Sequence, residues 1–331
     1  MIPEVKANGL LFIGDVHVTS RPPSRRKDNY VEAIFHKLEQ AIEIANQKKL
    51  VPVFLGDMFH RAIEPDETIK TRLFRLFGEK CWTTIYANVG NHDKNGTLLS
   101  DSDTLAVLAE PKNPIVAHDN SGPMVIVIVG DIRLGLGASA YGHDVPHDAN
   151  EFFPRGTVDG IIWVTHHDIA FDGAYPGSID PHPIKGCQVV VNGHMHLEKV
   201  PVEVGEDEKT LWCNFGSLTR TAIDALNHEP AVWSLTPSEG LVKHKLSYER
   251  DVFTISGDLL TEEARGGSLT SSIKDSLFIS MLKEDSGNTP VSWKTSGEEV
   301  FSLLMDKLKS MNAEEPVKAL AIDLYEKVRA S

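Results

Sequence analysis

Cysteine is scarce. The 331 residues contain three, Cys81, Cys187 and Cys213, far apart and without a CxxC pair. That excludes a disulfide framework and predicts a reducing, cytoplasmic setting in which the thiols are small buried apolar groups. Long apolar runs are missing too: nowhere do about 18 such residues follow one another, so no membrane span is expected. The apolar stretch near the start is too short for a secretory signal core and is broken by Asp15. Basic charge is in deficit, with 33 Lys and Arg against 47 Asp and Glu, a net charge of −14. Such a chain does not cling to DNA or anionic membranes through its overall field. A phosphate-bearing substrate must instead be attracted by bound cations or by a local basic patch. Internal repeats and long low-complexity tracts are absent.

What is present is apolar content of 41%, enough for one large α/β domain over residues 1–250 and an accessory segment over 251–331. The most informative stretch is Val51–Arg61, VPVFLGDMFHR. A short Val- and Leu-rich run reads as a buried parallel strand. It stops at Gly56-Asp57, where open α/β sheets keep their sites. A carboxylate aimed from a buried strand into a cleft needs a cation to meet it. Taken alone, Gly-Asp after a strand reads better as the start of a surface turn or the cap of the next helix.

Other stretches repeat the pattern. Leu10–Gly14 is a second buried strand that ends in Asp15-Val16-His17. The loop TSRPPSRRK, residues 19–27, is kept from helix by its prolines and gathers Arg21, Arg25, Arg26 and Lys27. Asp28–Lys48 carries apolar residues at helical spacing, with Asp28 or Asn29 as cap, and completes a βαβ unit. Pro65–Phe77 and Thr104–Ala109 read as helices, and Thr83–Val89 as a strand ending in Gly90-Asn91-His92-Asp93. Pro114–Ala138 reads as short strands with a hairpin, and Ser139–Thr157 as a long loop. Asp159–Thr165 is a strand ending in His166-His167-Asp168, and Cys187–Val191 one ending in Asn192-Gly193-His194-Met195-His196. Strands at 199–204, 209–214, 231–235 and 241–248 suggest a second, more antiparallel sheet. Beyond 251, two amphipathic stripes follow, Val300 to Met311 and Val317 to Val328.

Five strand ends thus carry DVH, GDMFH, GNHD, HHD and GHMH. Carboxylates, an amide and imidazoles without thiolate suit Mn²⁺, Fe²⁺ or Zn²⁺. Asp15, His17, Asp57, Asn91, His166, His194 and His196 are too many ligands for one ion. Two ions about 4 Å apart use them all if Asp57 is shared, and such a pair acidifies a water between them and stabilises phosphoryl oxygens.

The order DxH, GDxxxR, GNHD, a His-bearing strand end and GHxH resembles the calcineurin-like metallophosphoesterase superfamily over about residues 10–220. The resemblance implies a four-layer α/β/β/α sandwich with two mixed sheets and the site at one edge. It implies that Asp15, His17, Asp57 and His196 hold one ion, and Asp57, Asn91, His166 and His194 the other. By family position His166 rather than His167 is the ligand. His92 would protonate the leaving alkoxide or orient the scissile phosphate, with Asp93 holding its imidazole.

Two further blocks resemble the SbcD and meiotic-recombination-eleven branch of DNA-repair nucleases. GDMFHR with the following IEP is similar to that branch's GDLFH block, in which the extra histidine, here His60, contacts substrate. Residues 214–220, NFGSLTR, are similar to its post-GHxH block, with Phe215 where proline is usual. The resemblance implies a Mn²⁺-dependent DNA exo- or endonuclease, with DNA as partner and an SMC-like ATPase of SbcC type docked on the C-terminal helices. A homodimer is kept as an option. Arg61, Arg25 and Arg26 are the expected phosphate contacts. The alternatives are a phosphatase or small-molecule phosphodiesterase with the same metals, and a scaffold without activity.

Overall fold

The computed structural model describes residues 2–23, 25–110, 113, 115–222 and 225–254. The C-terminal stripes, and with them the accessory segment beyond 254, lie outside the described residues.

The expected βαβ unit starts the architecture. Strands β2 (Gly9–Ile13) and β3 (Leu50–Phe54) are buried at every position and pair in parallel. Burial on both faces explains why they read as continuous apolar runs. They are joined by α1 (Tyr30–Lys48), whose Asn29 side chain accepts the Glu32 backbone N–H as its cap. β4 (Ile85–Asn88) and β5 (Ile115–His118) extend the same parallel sheet. Its other edge is β12 (Ala231–Thr236), antiparallel to β2, and then β13 (Gly240–Lys245). Between β3 and β4 lies α2 (Glu67–Arg75), capped by the Asp66 carboxylate and followed by one wide turn at Leu76–Lys80. The short α3 (Thr104–Leu108) precedes β5.

The second sheet contains a hairpin of β6 (Ser121–Val129) and β7 (Ile132–Ser139). β8 (Gly160–Thr165) and β9 (Cys187–Asn192) follow in parallel, then β11 (Thr210–Asn214) parallel to β9, with β10 (Lys199–Val204) antiparallel at the edge. At the other edge a three-residue strand, β1 (Glu4–Lys6), pairs with β6 and is too short to leave a sequence pattern. The strands expected at 199–248 therefore do not form a sheet of their own. β10 and β11 close one sheet, whereas β12 and β13 close the other. Their local hairpin patterns are real, but the long-range partner decides sheet membership.

The two sheets pack face to face. Leu10, Phe12, Val51, Val53 and Leu55 meet Val125, Val127, Leu136, Ala138, Ile162 and Val164. The alternate residues Leu11, Ile13, Leu50 and Phe54 face outward, onto Ile34, Phe35, Leu38, Ala41 and Ile42 of α1, as a two-residue strand period requires. The far side of the second sheet buries Trp163, Val190 and Trp212 under Phe153, Ile169 and Ile184. That outer layer is built from the loops after β7 and β8, and the described residues there hold one helical turn, Ala149–Glu151. The fold is the expected α/β class, with two packed mixed sheets. The carboxyl ends of β2, β3, β4, β8 and β9 converge on one edge.

Candidate metal centre

Asp15 and His17 follow β2, Asp57 follows β3, Asn91 to Asp93 follow β4, His166 follows β8, and His194 and His196 follow β9. Asp15, His17, Asp57 and His166 are buried to within 1%. Four described non-glycine residues have positive φ, and three are in this set: His17 at 51°, Asp57 at 48° and His194 at 71°. The fourth, Lys49, closes α1. Left-handed backbone at residues with a Cβ is strained and gathers at functional sites. Here it turns side chains inward just where the strands stop. Gly56 and Gly90 make room for them. A Cβ on Gly56 would stand 2.2 Å from His166 Nδ1, and one on Gly90 2.1 Å from Asp57 Oδ1.

Two ligand groups form around a shared carboxylate. Asp15, His17 and His196 have ligand atoms within 4.8 Å of one another, and so do Asp57, His166 and His194. His17 Nε2 faces His196 Nε2 at 2.8 Å, and His196 Nε2 lies 3.6 Å from Asp15 Oδ2. His166 Nε2 lies 3.3 Å from Asp57 Oδ2, and the same oxygen is 3.8 Å from His17 Nε2. Asn91 Oδ1 and His194 Nδ1 meet at 3.1 Å. Asp57 Oδ2 thus faces a histidine of each group.

The remaining nitrogens fix the tautomers. His166 gives Nδ1–H to the Leu55 carbonyl at 3.0 Å, and His194 turns Nε2 to the Asp168 carboxylate at 3.3 Å. The faces turned to Asp57 and Asn91 are therefore lone pairs aimed at oxygen. Asp15 Oδ2 and His166 Nε2 are buried without a hydrogen-bond partner. Lone pairs converging on oxygens, with orphaned buried atoms among them, fit a cation and are costly otherwise. Without one, only protons relieve the set. Burial works against a charged His166, but Asp57 and then Asp15 hold its proton up to about 9. Burial likewise opposes charge on Asp57, yet His166, His17 and His92 keep that carboxyl well below its usual range. The residues fit a pair of divalent ions.

His92 lies beside this centre. Its backbone N–H donates to Asp57 Oδ1 at 2.8 Å, and its Nδ1 lies 2.8 Å from the His60 carbonyl, which leaves Nε2 to the open side. Asp93 does not hold that imidazole. It is fully buried and accepts the backbone N–H of Phe59 at 3.0 Å and of Gly90 at 2.9 Å. Burial, then the nearby Asp57, raises its carboxyl to about 7. Its place is to clamp two ligand loops together. His60 stacks on His92 with ring centres 5.6 Å apart. Arg61 is exposed; burial, then His92 and Arg61, disfavours the charged form of His60. Arg25 is exposed as well.

Arg26 is not a substrate contact. Its guanidinium pairs with both oxygens of Asp28 and donates to the Arg220 carbonyl at 2.6 Å, with its side chain 2% exposed. It lies over the rings of Tyr30 and Phe253. Backbone bonds tie this loop to the chain near 252–254. A planar cation with stacking faces is well suited to such a buried junction.

Some contributors were not assigned from sequence. Asp168 stood in the HHD block without a role and orients His194. Asn192 and Asn214 bond each other at 3.1 Å, and Asn214 also donates to the Met195 and Leu197 carbonyls, which holds the loop that carries His194 and His196. Tyr141, in the loop after β7, has its ring 5.8 Å from His194 and stacked on His167 at 6.3 Å. His167 is in neither ligand group, and burial, then His166, lowers its imidazole to about 4.

The two-sheet sandwich brings these side chains to one edge in an arrangement suited to divalent cations and phosphoryl oxygens. The chain belongs to the calcineurin-like phosphoesterase family, whose model matches residues 10–198. No curated protein matches the sequence. Solved structures that resemble it include the NAD nucleotidase (NadN) of Haemophilus influenzae, at 15% identity and a TM-score of 0.41, over 78% of this chain and 56% of that one. Another is a 5'-nucleotidase precursor from Thermus thermophilus, at 13% identity and a TM-score of 0.42, over 77% of this chain and 57% of that one. The chain spans just over half the length of each. Likeness at this level does not bear on the substrate, and it lends no support to the SbcD-type branch. No described helix is long and apolar enough to cross a membrane.

Proposed function

We propose that the chain hydrolyses phosphodiesters, with DNA as the first substrate class, in an SbcD-type nuclease reaction. The observation that carries this reading is the imidazole pair beside the ligand groups, His60 stacked on His92 at 5.6 Å. A phosphodiester carries a single charge and releases a poor alkoxide leaving group. Its lower charge asks less of a cationic clamp than a terminal phosphoryl group does, and its alkoxide, like that of an alkyl monoester, needs a proton donor. His92, anchored through Nδ1, offers Nε2 as that donor. His60, with a buried and unpartnered Nδ1, is the second polar contact.

Asp15, His17, Asp57 and His196 would hold one divalent ion, and Asp57, Asn91, His166 and His194 the other. When bound, the ions supply Lewis-acid stabilisation of the phosphoryl oxygens and acidify water. Mn²⁺ is the proposed metal, with Fe²⁺ or Zn²⁺ suited to the same donors. An SMC-like ATPase remains the proposed partner of the stripes beyond 300, outside the described residues.

The second reading is a phosphomonoesterase acting on nucleotides. One observation favours it: Arg26 is drawn into the protein and Lys27 is paired with Asp251, so the basic loop offers a long polyanion less than its composition suggests. A substrate panel with Mn²⁺ separates the two. Faster cleavage of bis(p-nitrophenyl) phosphate and linear DNA than of p-nitrophenyl phosphate and nucleoside monophosphates supports the first. Monoester turnover with DNA left intact moves the assignment to the second.

A further inference from the structure

A third group on the same edge is made of imidazoles alone. The ligand nitrogens of His17, His60 and His92 lie within 4.8 Å of one another. His17 belongs to the ion pair through Nε2, which leaves His60 and His92 for anything more. His92 Nδ1 is tied to the His60 carbonyl at 2.8 Å, so the ring is held with Nε2 outward. His60 has a buried Nδ1 with no hydrogen-bond partner. The two rings stack within 24° of parallel and rest edge-on against His17.

Two adjacent imidazoles without a carboxylate discriminate among metals. Nitrogen donors suit Zn²⁺, Ni²⁺ and Cu²⁺, whereas Mg²⁺ and Mn²⁺ prefer oxygen. With no anion to offset its charge and two ions already close by, this place binds more weakly than the carboxylate-bearing centre. We propose that His60 and His92 form an inhibitory transition-metal subsite, filled by Zn²⁺ once zinc exceeds what the two-ion centre takes up. An ion on His92 Nε2 removes the proton donor for the leaving group, so excess zinc slows turnover while the catalytic pair stays in place. The inference rests on the two-ion reading of the ligand groups.

The test counts zinc per chain by mass spectrometry after equilibrium dialysis of the purified full-length protein over rising free zinc. The wild type is expected to take up two equivalents and then one more at higher zinc. His60→Phe, which keeps a ring against His92, is expected to bind one equivalent fewer and to retain the first two, which also reports that it is folded. Any zinc on other surface histidines is common to both proteins. The ratio of rates at high and low zinc, taken within each protein, falls in the wild type and stays level in the variant. A wild type that saturates at two equivalents, or a variant that loses none, overturns the subsite. Saturation below two overturns the two-ion reading instead.

Discussion

His166 faces Asp57 across 3.3 Å, Nε2 against Oδ2, while its other nitrogen is held by the Leu55 carbonyl. In the metal-free protein a proton must occupy that gap, which is why Asp57 holds the His166 proton up to about 9 against the effect of burial. An ion needs the same lone pair, so metal uptake should release protons near neutral pH. Calorimetry in buffers of different ionisation enthalpy measures this. Mn²⁺ at about 100 times its Kd should add roughly 3 kcal/mol for each site, or about 5–10 °C in Tm. Asp57→Asn should abolish both the shift and turnover. A wild type whose Tm ignores Mn²⁺ would count against the pairing.

His92→Ala should leave metal content unchanged and slow cleavage of alkyl esters and DNA by about 10²-fold or more. The loss should shrink for p-nitrophenyl esters, whose leaving group needs no proton. Equal losses on both substrates would show that His92 places the phosphate instead of protonating the leaving oxygen.

Arg26→Ala should destabilise the fold by about 2–4 kcal/mol, since it strands Asp28 and removes a bond to the Arg220 carbonyl. Denaturant titration reads that change. The salt dependence of DNA binding should not move, because the guanidinium does not reach phosphate. A slope reduced by about one would restore Arg26 to the substrate surface.

Lys37 is buried on α1, with Nζ bonded to the Ala33 carbonyl, and burial, then Arg26 and Arg220, lowers its ammonium to about 8. The unfolded chain binds this proton more tightly than the folded one. The charge therefore costs stability below pH 8, and the cost is relieved as pH rises from about 8 towards the ordinary lysine value. Lys37→Met should gain up to about 3 kcal/mol at pH 7 and lose the alkaline rise. A wild type and variant with parallel stability curves between pH 8 and 10 would mean that Lys37 reaches water.

The candidate ligands were legible because each is written into a local signal, an apolar run that stops at Asp, Asn or His. Asp15, His17, Asp57, Asn91, His166, His194 and His196 all lie where their strands end, close to one another. What could not be read depends on partners far along the chain. Arg26 looks like a phosphate contact until Arg220, 194 residues away, is placed beside it. Asp93 looks like a partner for the adjacent imidazole, but its oxygens are claimed by the N–H groups of Phe59 and Gly90. Tyr141 sits in a loop with no motif, and β10 to β13 carry hairpin patterns that do not say which sheet they join.

The most direct test of the account is anomalous scattering from crystals of active protein grown with Mn²⁺. It should show two peaks about 4 Å apart with Asp57 between them, one against Asp15, His17 and His196, the other against Asn91, His166 and His194. A single peak, or none while these side chains keep their present positions, would contradict it.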